Sequence, residues 1–432
     1  MADIYIVLLT LILTGALVHA LRSTERIYEY PYFMSAAFAG FILPQAYSLI
    51  RFPFNTSPSA IDNVLLMTLL CVLACLFGYR AAENRWIVQK TQTLVNDRRL
   101  FRWGVFFILC AFFFTVLIGR MTDAERGGRQ WTGRATIFLF FSELGYPGLA
   151  ICLRQALKDR RDTVAWFWTI AGSIIPIMSG LFYARREPTA LFALTIAITL
   201  YFQKRYVLPR SVIAGALVLA IIVIPTTSQI RSALATRGIA GIRDVDLIGG
   251  FRKFSSGSKI LELRNAAMVM EATNRTGNFG IGRGYWDQIV FRLVPAQIIG
   301  RENKERLMFR TPKQRDNDEI AMLGYRRIIG TTTTGVGDSY REFGYFGALV
   351  FAAMAVVFKS LWRASLQPNG VFAQLLYIQT AIAAMHAVTH LTGDYLPTLI
   401  YNLTFIGAAV YFSRIRETSE ASSAPRILPR PA

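Results

Sequence analysis

Long apolar segments restrict what this 432-residue chain can fold into more than any other feature. Hydrophobic residues make up 53% of the sequence. Windows of about 18 or more apolar residues recur along it, and a helix of that length crosses the hydrocarbon core of a bilayer. The windows cover residues 3–21, 32–50, 61–79, 103–119, 135–153, 164–183, 188–203, 211–227, 344–362, 371–391 and 397–413. The sequence therefore predicts an all-α polytopic membrane protein with about eleven transmembrane helices.

The net charge of +20 follows from membrane topology and does not indicate nucleic-acid binding. Basic residues of membrane proteins collect on cytoplasmic loops, where they set the orientation of the spans. The short loops and the tail on one side of the predicted spans carry 21 Lys and Arg residues, and the loops on the other side carry 7. This bias predicts an external N-terminus and a cytoplasmic C-terminus.

One long polar segment, residues 228–342, interrupts the apolar pattern after the eighth predicted span. It holds 19 Lys and Arg residues against 12 Asp and Glu. The predicted topology places it outside as a large external (periplasmic) loop, and long loops are exempt from the positive-inside rule. The predicted organisation is spans 1–8 in residues 1–227, the loop in 228–342, spans 9–11 in 343–413 and a disordered cytoplasmic tail in 414–432.

Two stretches of this loop have the periodicity of amphipathic helices. Such helices lie either in the membrane interface or against the membrane domain, and both alternatives stay open. The apolar side of the first stretch, residues 258–272, comprises Ile260, Leu263, Ala267 and Met270, and that of the second, residues 285–294, comprises Trp286, Ile289, Val290 and Leu293.

Arginines are frequent on the predicted outer side, where orientation does not require them. The guanidinium presents a planar fork of donors that suits phosphate, and it is charged at any working pH. Snorkelling at the interface is the alternative for each single arginine. The predicted substrate-binding arginines are Arg129, Arg134, Arg185, Arg186, Arg264 and Arg341.

Three carboxylates near the predicted membrane surface are candidates for a general base. Asp338 and Glu342 lie four residues apart in the Gly-rich run 330–347, so they share a face if a helix has begun there. Glu187 follows the Arg185-Arg186 pair. A carboxylate at such a position accepts a proton from a substrate hydroxyl or caps a helix, and capping is the alternative for Asp338.

Histidine is scarce, and two of the three histidines lie close together. His386 and His390 are four residues apart, and Asp394 follows after four more. This spacing suits a metal ion, a proton or substrate contact, or a hydrogen-bonded polar seam. With no convincing third ligand we favour the polar seam, and we expect neither a metal nor a cofactor.

The run 337–347 resembles the pattern that closes the large external loop in oligosaccharide repeat-unit polymerases (the O-antigen and exopolysaccharide polymerases, or Wzy family). That pattern reads acidic, x, Tyr, x, Asn, Phe, Gly, x, x, Gly. Asp338, Tyr340, Phe343, Gly344 and Gly347 fit it. Glu342 stands where Asn is usual and adds a charge. The arrangement of spans with one late, dominant external loop resembles the family over nearly the whole chain.

The resemblance implies a metal-independent glycosyltransferase of the bacterial inner (plasma) membrane that uses no nucleotide sugar. It would transfer an undecaprenyl-pyrophosphate-linked glycan to a second lipid-linked repeat unit, with Tyr340 among its substrate contacts. Implied partners are lipid-linked glycans, the bilayer, a chain-length regulator and a flippase. An O-antigen-ligase-like transferase stays open, although the loop lacks the histidine expected of those ligases. A glycan transporter is the other alternative, with Glu143 as its main ionisable residue inside a span.

Overall fold

The computed structural model describes residues 1–81, 83–122, 125, 133–183, 186–215, 230, 233, 246, 249, 262–310, 320–328 and 331–415, and between 180 and 187 it describes the backbone alone. Regular structure in these residues is helical, apart from one isolated bridge between Val95 and Arg414. The predicted all-α class is therefore confirmed for this part of the chain.

Helices α1 to α8 form the first half of the bundle. They are α1 Ala2–Arg22, α2 Tyr30–Arg51, α3 Pro58–Ala81, α4 Arg85–Lys90, α5 Asp97–Arg120, α6 Arg134–Lys158, α7 Thr163–Tyr183 and α8 Arg186–Lys204. Two of them are irregular. A π-helical turn interrupts α2 at Phe38–Ile42, and α6 is broken between Ser142 and Gly145.

Helices α9 to α16 follow residue 261. They are α9 Glu262–Thr276, α10 Arg283–Leu293, α11 Ala296–Ile299, α12 Arg301–Arg306, α13 Thr334–Phe343, α14 Ala348–Ser365, α15 Val371–Thr389 and α16 Tyr395–Ser413. Short 3₁₀ turns join α13 to α14 and α15 to α16, at Gly344–Gly347 and Thr392–Asp394.

Eight helices in the described part of the chain are long and apolar enough to cross a bilayer. They coincide with predicted spans one to five and nine to eleven. The sixth and seventh windows form helices α7 and α8, which fall below that criterion over their described residues. Most of the eighth window, 211–227, lies outside the described residues. The membrane class is thus confirmed, and the number of eleven spans stays a prediction.

Contacts between loops define one end of the bundle, which we call the loop end. Arg264 Nη2 of α9 donates to the backbone oxygen of Phe52 at 3.1 Å, and Ser57 Oγ donates to Glu271 Oε2 at 3.1 Å. Helix α9 therefore rests on the turn between α2 and α3. The N-terminal amine lies 3.6 Å from Asp62 Oδ1 near the start of α3. The N-terminus thus belongs to the loop end.

The opposite end gathers the connections that carry the excess of basic residues. Arg363 Nε pairs with Glu83 Oε2 at 2.7 Å, and the amide of Asn96 donates to the Ser413 oxygen at 2.7 Å. Arg210 Nη2 donates to the oxygen of Arg22 at 3.1 Å. The N-terminus and the end of α16 therefore lie at opposite ends of the bundle.

The ends of the described loop enter the bundle instead of lying over it. Helix α9 packs against α3 and α13, and α13 packs in turn against α15. Residues on all faces of α9 are buried, including Asn265, Met268 and Thr273, which lie off the predicted apolar stripe. Helix α9 is consequently a core element, and the predicted boundary between residues 342 and 343 falls inside the last turn of buried α13.

Two glycines allow α13 to sit between its neighbours. A Cβ on Gly335 would lie 1.6 Å from the backbone oxygen of Ala387 in α15. A Cβ on Gly337 would lie 2.8 Å from Ala266 Cα in α9. Residues two apart point to nearly opposite sides of a helix. The Gly-Val-Gly run therefore brings the backbone of α13 close to two helices at once.

Candidate functional site

Asp338 lies at the centre of a buried hydrogen-bond network at the loop end. Its Oδ1 accepts from Arg341 Nη2 at 2.8 Å, one turn along α13. Its Oδ2 accepts from Thr392 Oγ1 at 2.8 Å and from the amide of Gly393 at 3.1 Å. The Asp338 side chain is fully buried. Oδ2 thus joins α13 to the turn before α16, while Oδ1 pairs with an arginine of α13 itself.

Glu342 lies on the same helix and holds a different element. Its Oε2 accepts from the amides of Gly282 and Gly284, at 3.0 and 3.2 Å. The amide of Ile281 donates to the backbone oxygen of Glu342 at 2.8 Å. These amides open helix α10, whose N-terminus favours a negative charge. The carboxylate that departs from the family pattern therefore caps α10.

The turn around Glu342 requires glycine. Gly282 has φ +81°, a left-handed conformation that suits glycine. A Cβ on Gly280 would lie 2.2 Å from Glu342 Oε2. The glycine-rich stretch 277–284 thus folds around this carboxylate.

Helix α10 is held on the bundle along one face. Tyr285 shares a 2.7 Å hydrogen bond with Thr392, the residue that also donates to Asp338. A Cβ on Gly393 would contact Tyr285 and Gln288 of α10 at 3.1 and 3.3 Å. The buried network therefore extends from α13 through the Thr392–Asp394 turn to α10.

At the end of this face lies a partly exposed group of polar side chains, which we call the outer polar cluster: Arg292, His386, His390 and Asp394. Arg292 Nη2 lies 3.2 Å from Asp394 Oδ1, and the Arg292 side chain is 45% exposed. The rings of His386 and His390 stack with centroids 4.2 Å apart. His390 Nδ1 shares a 2.8 Å hydrogen bond with Thr389. The Arg292 guanidinium is also within electrostatic reach of the His386 ring.

The outer polar cluster joins one loop helix to the ends of two membrane helices. The guanidinium of Arg292 is partly exposed, and the imidazoles of His386 and His390 are half-buried. Such an arrangement can bind an anion through the guanidinium and exchange a proton through an imidazole. Within the described residues, no three His, Cys, Asp or Glu side chains are placed to hold a metal ion.

Arg264, another predicted substrate-binding arginine, lies apart from this cluster. It is buried, its guanidinium carbon lies 4.4 Å from the centroid of the Phe54 ring, and it donates to Phe52. Burial lowers the pKa of Arg264 from its ordinary value of 12.5. The side chain stays charged at neutral pH, and it packs against the turn between α2 and α3.

Tyr340 and Arg134 occupy different surroundings. The Tyr340 hydroxyl donates to Asn274 Oδ1 at 2.7 Å, and its buried ring packs edge-on against Tyr345. Arg134 is exposed at the start of α6, next to Gly133, whose oxygen accepts a hydrogen bond from Gln297 of α11. The loop helices thus reach the connection between α5 and α6.

The remaining predicted residues are not brought into the site by described contacts. Arg129 and Arg185 lie outside the described residues, and Arg186 and Glu187 begin α8 without described side chains. Asp338, Arg341 and Glu342 lie together in one buried turn of helix.

Arg292 belongs to the outer polar cluster, but the sequence pattern did not single it out as a candidate. It was one of many basic residues in the loop, and its partner Asp394 lies about a hundred positions further on. The i, i+3 and i+7 spacing of Tyr285, Gln288 and Arg292 was a usable signal, because it places three polar groups on one face of α10.

No protein-family model matches the chain, and neither a curated protein nor a solved structure was found to match it.

Proposed function

We propose that this chain is a membrane glycosyltransferase that polymerises undecaprenyl-pyrophosphate-linked oligosaccharide repeat units on the outer face of the bacterial plasma membrane. The observation that carries the proposal is the outer polar cluster. It places an accessible arginine and two imidazoles where a loop helix meets the ends of α15 and α16. A lipid-linked substrate has its polar head at this level and its chain in the bilayer.

The reaction requires two kinds of group at one place. A sugar hydroxyl of one lipid-linked unit attacks the anomeric carbon of the other, the bond from that carbon to the pyrophosphate oxygen breaks, and the hydroxyl proton leaves. Arg292 would stabilise the charge that develops on the pyrophosphate, with Arg134 and the predicted Arg129, Arg185 and Arg186 as further cations. His390 or His386 would accept the proton.

In this proposal Asp338 and Glu342 act by positioning. Asp338 orients the turn that carries Asp394, and Glu342 holds the start of the helix that carries Arg292. Glu187 stays a predicted base at the start of α8. Arg264 and Tyr340 hold α9 and the loop end in place.

Incubation of the purified chain with a lipid-linked repeat unit tests the proposal. A polymerase produces a ladder of glycans that differ by one repeat unit, whereas a ligase transfers a glycan once onto a different acceptor. The absence of any transfer with an authentic substrate would reject both. The ligase alternative gains support from His390, which the fold brings near a loop helix although the loop sequence has no histidine.

A transporter is favoured by a different observation. Helix α6 breaks between Ser142 and Gly145, and the exposed Glu143 lies at this break. Transporters place ionisable residues at broken helices inside the membrane. Glycan flux into proteoliposomes that is lost in Glu143→Gln, without any ladder formation, would select this alternative.

A further inference from the structure

A cavity of about 610 Å³ opens at the end of the bundle opposite the outer polar cluster. Three elements contribute cations to it. Arg26 precedes α2, Arg80 lies in the last turn of α3, and Lys359 lies near the end of α14. His19, at the end of α1, contacts Arg26. Basic groups from four parts of the sequence therefore converge on one space.

The cations of this cavity exceed its acidic groups. Glu29 is the acidic residue among those that line it. Within the described residues, neither Arg80 nor Lys359 forms an ion pair with a carboxylate, and Lys359 Nζ lies 4.6 Å from the centroid of the Tyr79 ring. The cavity thus carries net positive charge, which favours an anion of about the size and charge of a phosphate.

Apolar residues of membrane helices line another part of the cavity. Ile12, Gly15 and Ala16 of α1 and Leu76 of α3 form an apolar part of the lining. The volume exceeds what a phosphate alone fills, because pockets of about 300–1,000 Å³ accommodate whole small ligands. A lipid offers both parts of the required ligand, an anionic headgroup and the start of an acyl chain. Basic pockets between transmembrane helices recognise lipid headgroups in this way.

We propose that this cavity binds the phosphate group of an anionic membrane lipid. Arg26, Arg80 and Lys359 contact the phosphate, and the side of α1 that carries Ile12 contacts the acyl chain. The site lies on the opposite end of the bundle from the outer polar cluster, so it does not depend on the function proposed above.

Lipid retention measured by native mass spectrometry tests the proposal. The full chain is reconstituted with phosphatidylcholine and phosphatidylglycerol and then extracted, and the lipids that it retains are identified from the mass of the complex. We expect the wild type to retain phosphatidylglycerol and the R80A/K359A variant to retain about tenfold less, since each basic group contributes appreciably to the binding of anionic lipid. Equal retention by wild type and variant would overturn the site.

Matched controls distinguish lipid binding in the cavity from a general effect of the protein's net charge. R98A/R99A removes two exposed cations from the same end, outside the cavity, and should leave retention unchanged. R80K/K359R keeps both charges and should retain most of the lipid. A loss in R98A/R99A as large as that in R80A/K359A would overturn the proposal, because it would show that net charge alone governs retention.

The source of the phosphate is tested by thermal unfolding in phosphatidylcholine. Phosphatidylglycerol should raise the thermal unfolding midpoint of the wild type and leave that of R80A/K359A unchanged. Inorganic phosphate and glycerol 3-phosphate should have little effect on either midpoint. If a soluble phosphate raised the midpoint equally, the lipid assignment would be overturned. The thermal unfolding midpoint of R80A/K359A without anionic lipid reports whether this variant folds. If it does not fold, the single variant R80Q, which changes one exposed side chain, takes its place.

Discussion

Arg292 Nη2 lies 3.2 Å from Asp394 Oδ1, and this ion pair ties a helix of the long polar segment to the turn that begins the last membrane helix. The Arg292 side chain is about half exposed, and the Asp394 side chain is nearly buried. A buried carboxylate holds the arginine in one orientation, while the outer part of the guanidinium faces solvent. This geometry suits an arginine that binds an anion.

His390 is expected to contribute through proton transfer. In the proposed reaction, His390→Ala should lower the turnover of lipid-linked substrate by about 100-fold or more, the usual contribution of a positioned acid or base. His386→Ala, which removes the stacked neighbour, should have the smaller effect. Turnover is measured at saturating substrate with both variants, and His19→Ala at the opposite end is the matched control. Equal turnover in wild type and His390→Ala would exclude this role.

Glu342 is expected to stabilise α10 through its carboxylate. Glu342→Ala removes the acceptor of two amides at a helix N-terminus, so we predict a loss of about 1–2 kcal/mol in the free energy of unfolding. Glu342→Gln keeps an acceptor and should lose less. Hydrogen exchange at residues 282–286 measures the local effect.

A catalytic Glu342 would behave differently. Glu342→Gln would then abolish turnover while exchange at the start of α10 stayed at the wild-type rate. Glu302→Gln, at an exposed position of the same loop, is the matched control for the loss of one carboxylate.

Asp338 and Arg341 should depend on each other for stability. Asp338→Asn leaves the Arg341 charge buried without its partner carboxylate, which costs about 3–5 kcal/mol in other proteins. The double variant Asp338→Asn/Arg341→Gln should be more stable than the sum of the single losses predicts, because neither charge then remains. Chemical unfolding of all four proteins gives the coupling free energy, and strictly additive losses would contradict the pair.

Gly335 and Gly337 should not tolerate alanine. In Gly335→Ala the new methyl group meets the Ala387 oxygen, and in Gly337→Ala it meets the backbone of Ala266. Overpacking of this kind costs about 1–3 kcal/mol, and Gly335→Ala should be the worse because its neighbour is closer. Gly15→Ala is the matched control, since no atom lies within 4 Å of its Cβ position. Unfolding midpoints close to wild type in both variants would show that α13 packs more loosely.

The sequence predicted the membrane helices well because a bilayer imposes one simple requirement, a sufficiently long apolar segment. It predicted the loop helices less well. The stripe of Leu263, Ala267 and Met270 indicated one buried face, yet residues 263–270 of α9 are buried on every side because the helix packs against both α3 and α13. Periodicity describes a helix in isolation and cannot show how many neighbours surround it.

The candidate site was predictable only within single segments. Asp338, Arg341 and Glu342 are close in sequence, so their shared helix could be predicted. Their separate partners could not, because Thr392 lies 54 residues after Asp338 and Gly282 lies 60 residues before Glu342. The pairing of Arg292 with Asp394 was hidden for the same reason.

The most direct test of the central claim is the product pattern of purified Arg292→Ala beside wild type with an authentic lipid-linked repeat unit. The wild type should build a ladder of repeat units. Arg292→Ala should build it about 100-fold more slowly, since loss of one charge-stabilising donor has an effect of that order. Arg283→Ala removes an exposed cation from the same helix and should behave as wild type. A wild-type enzyme that makes no ladder, or an Arg292→Ala variant that makes it at full rate, would contradict the account.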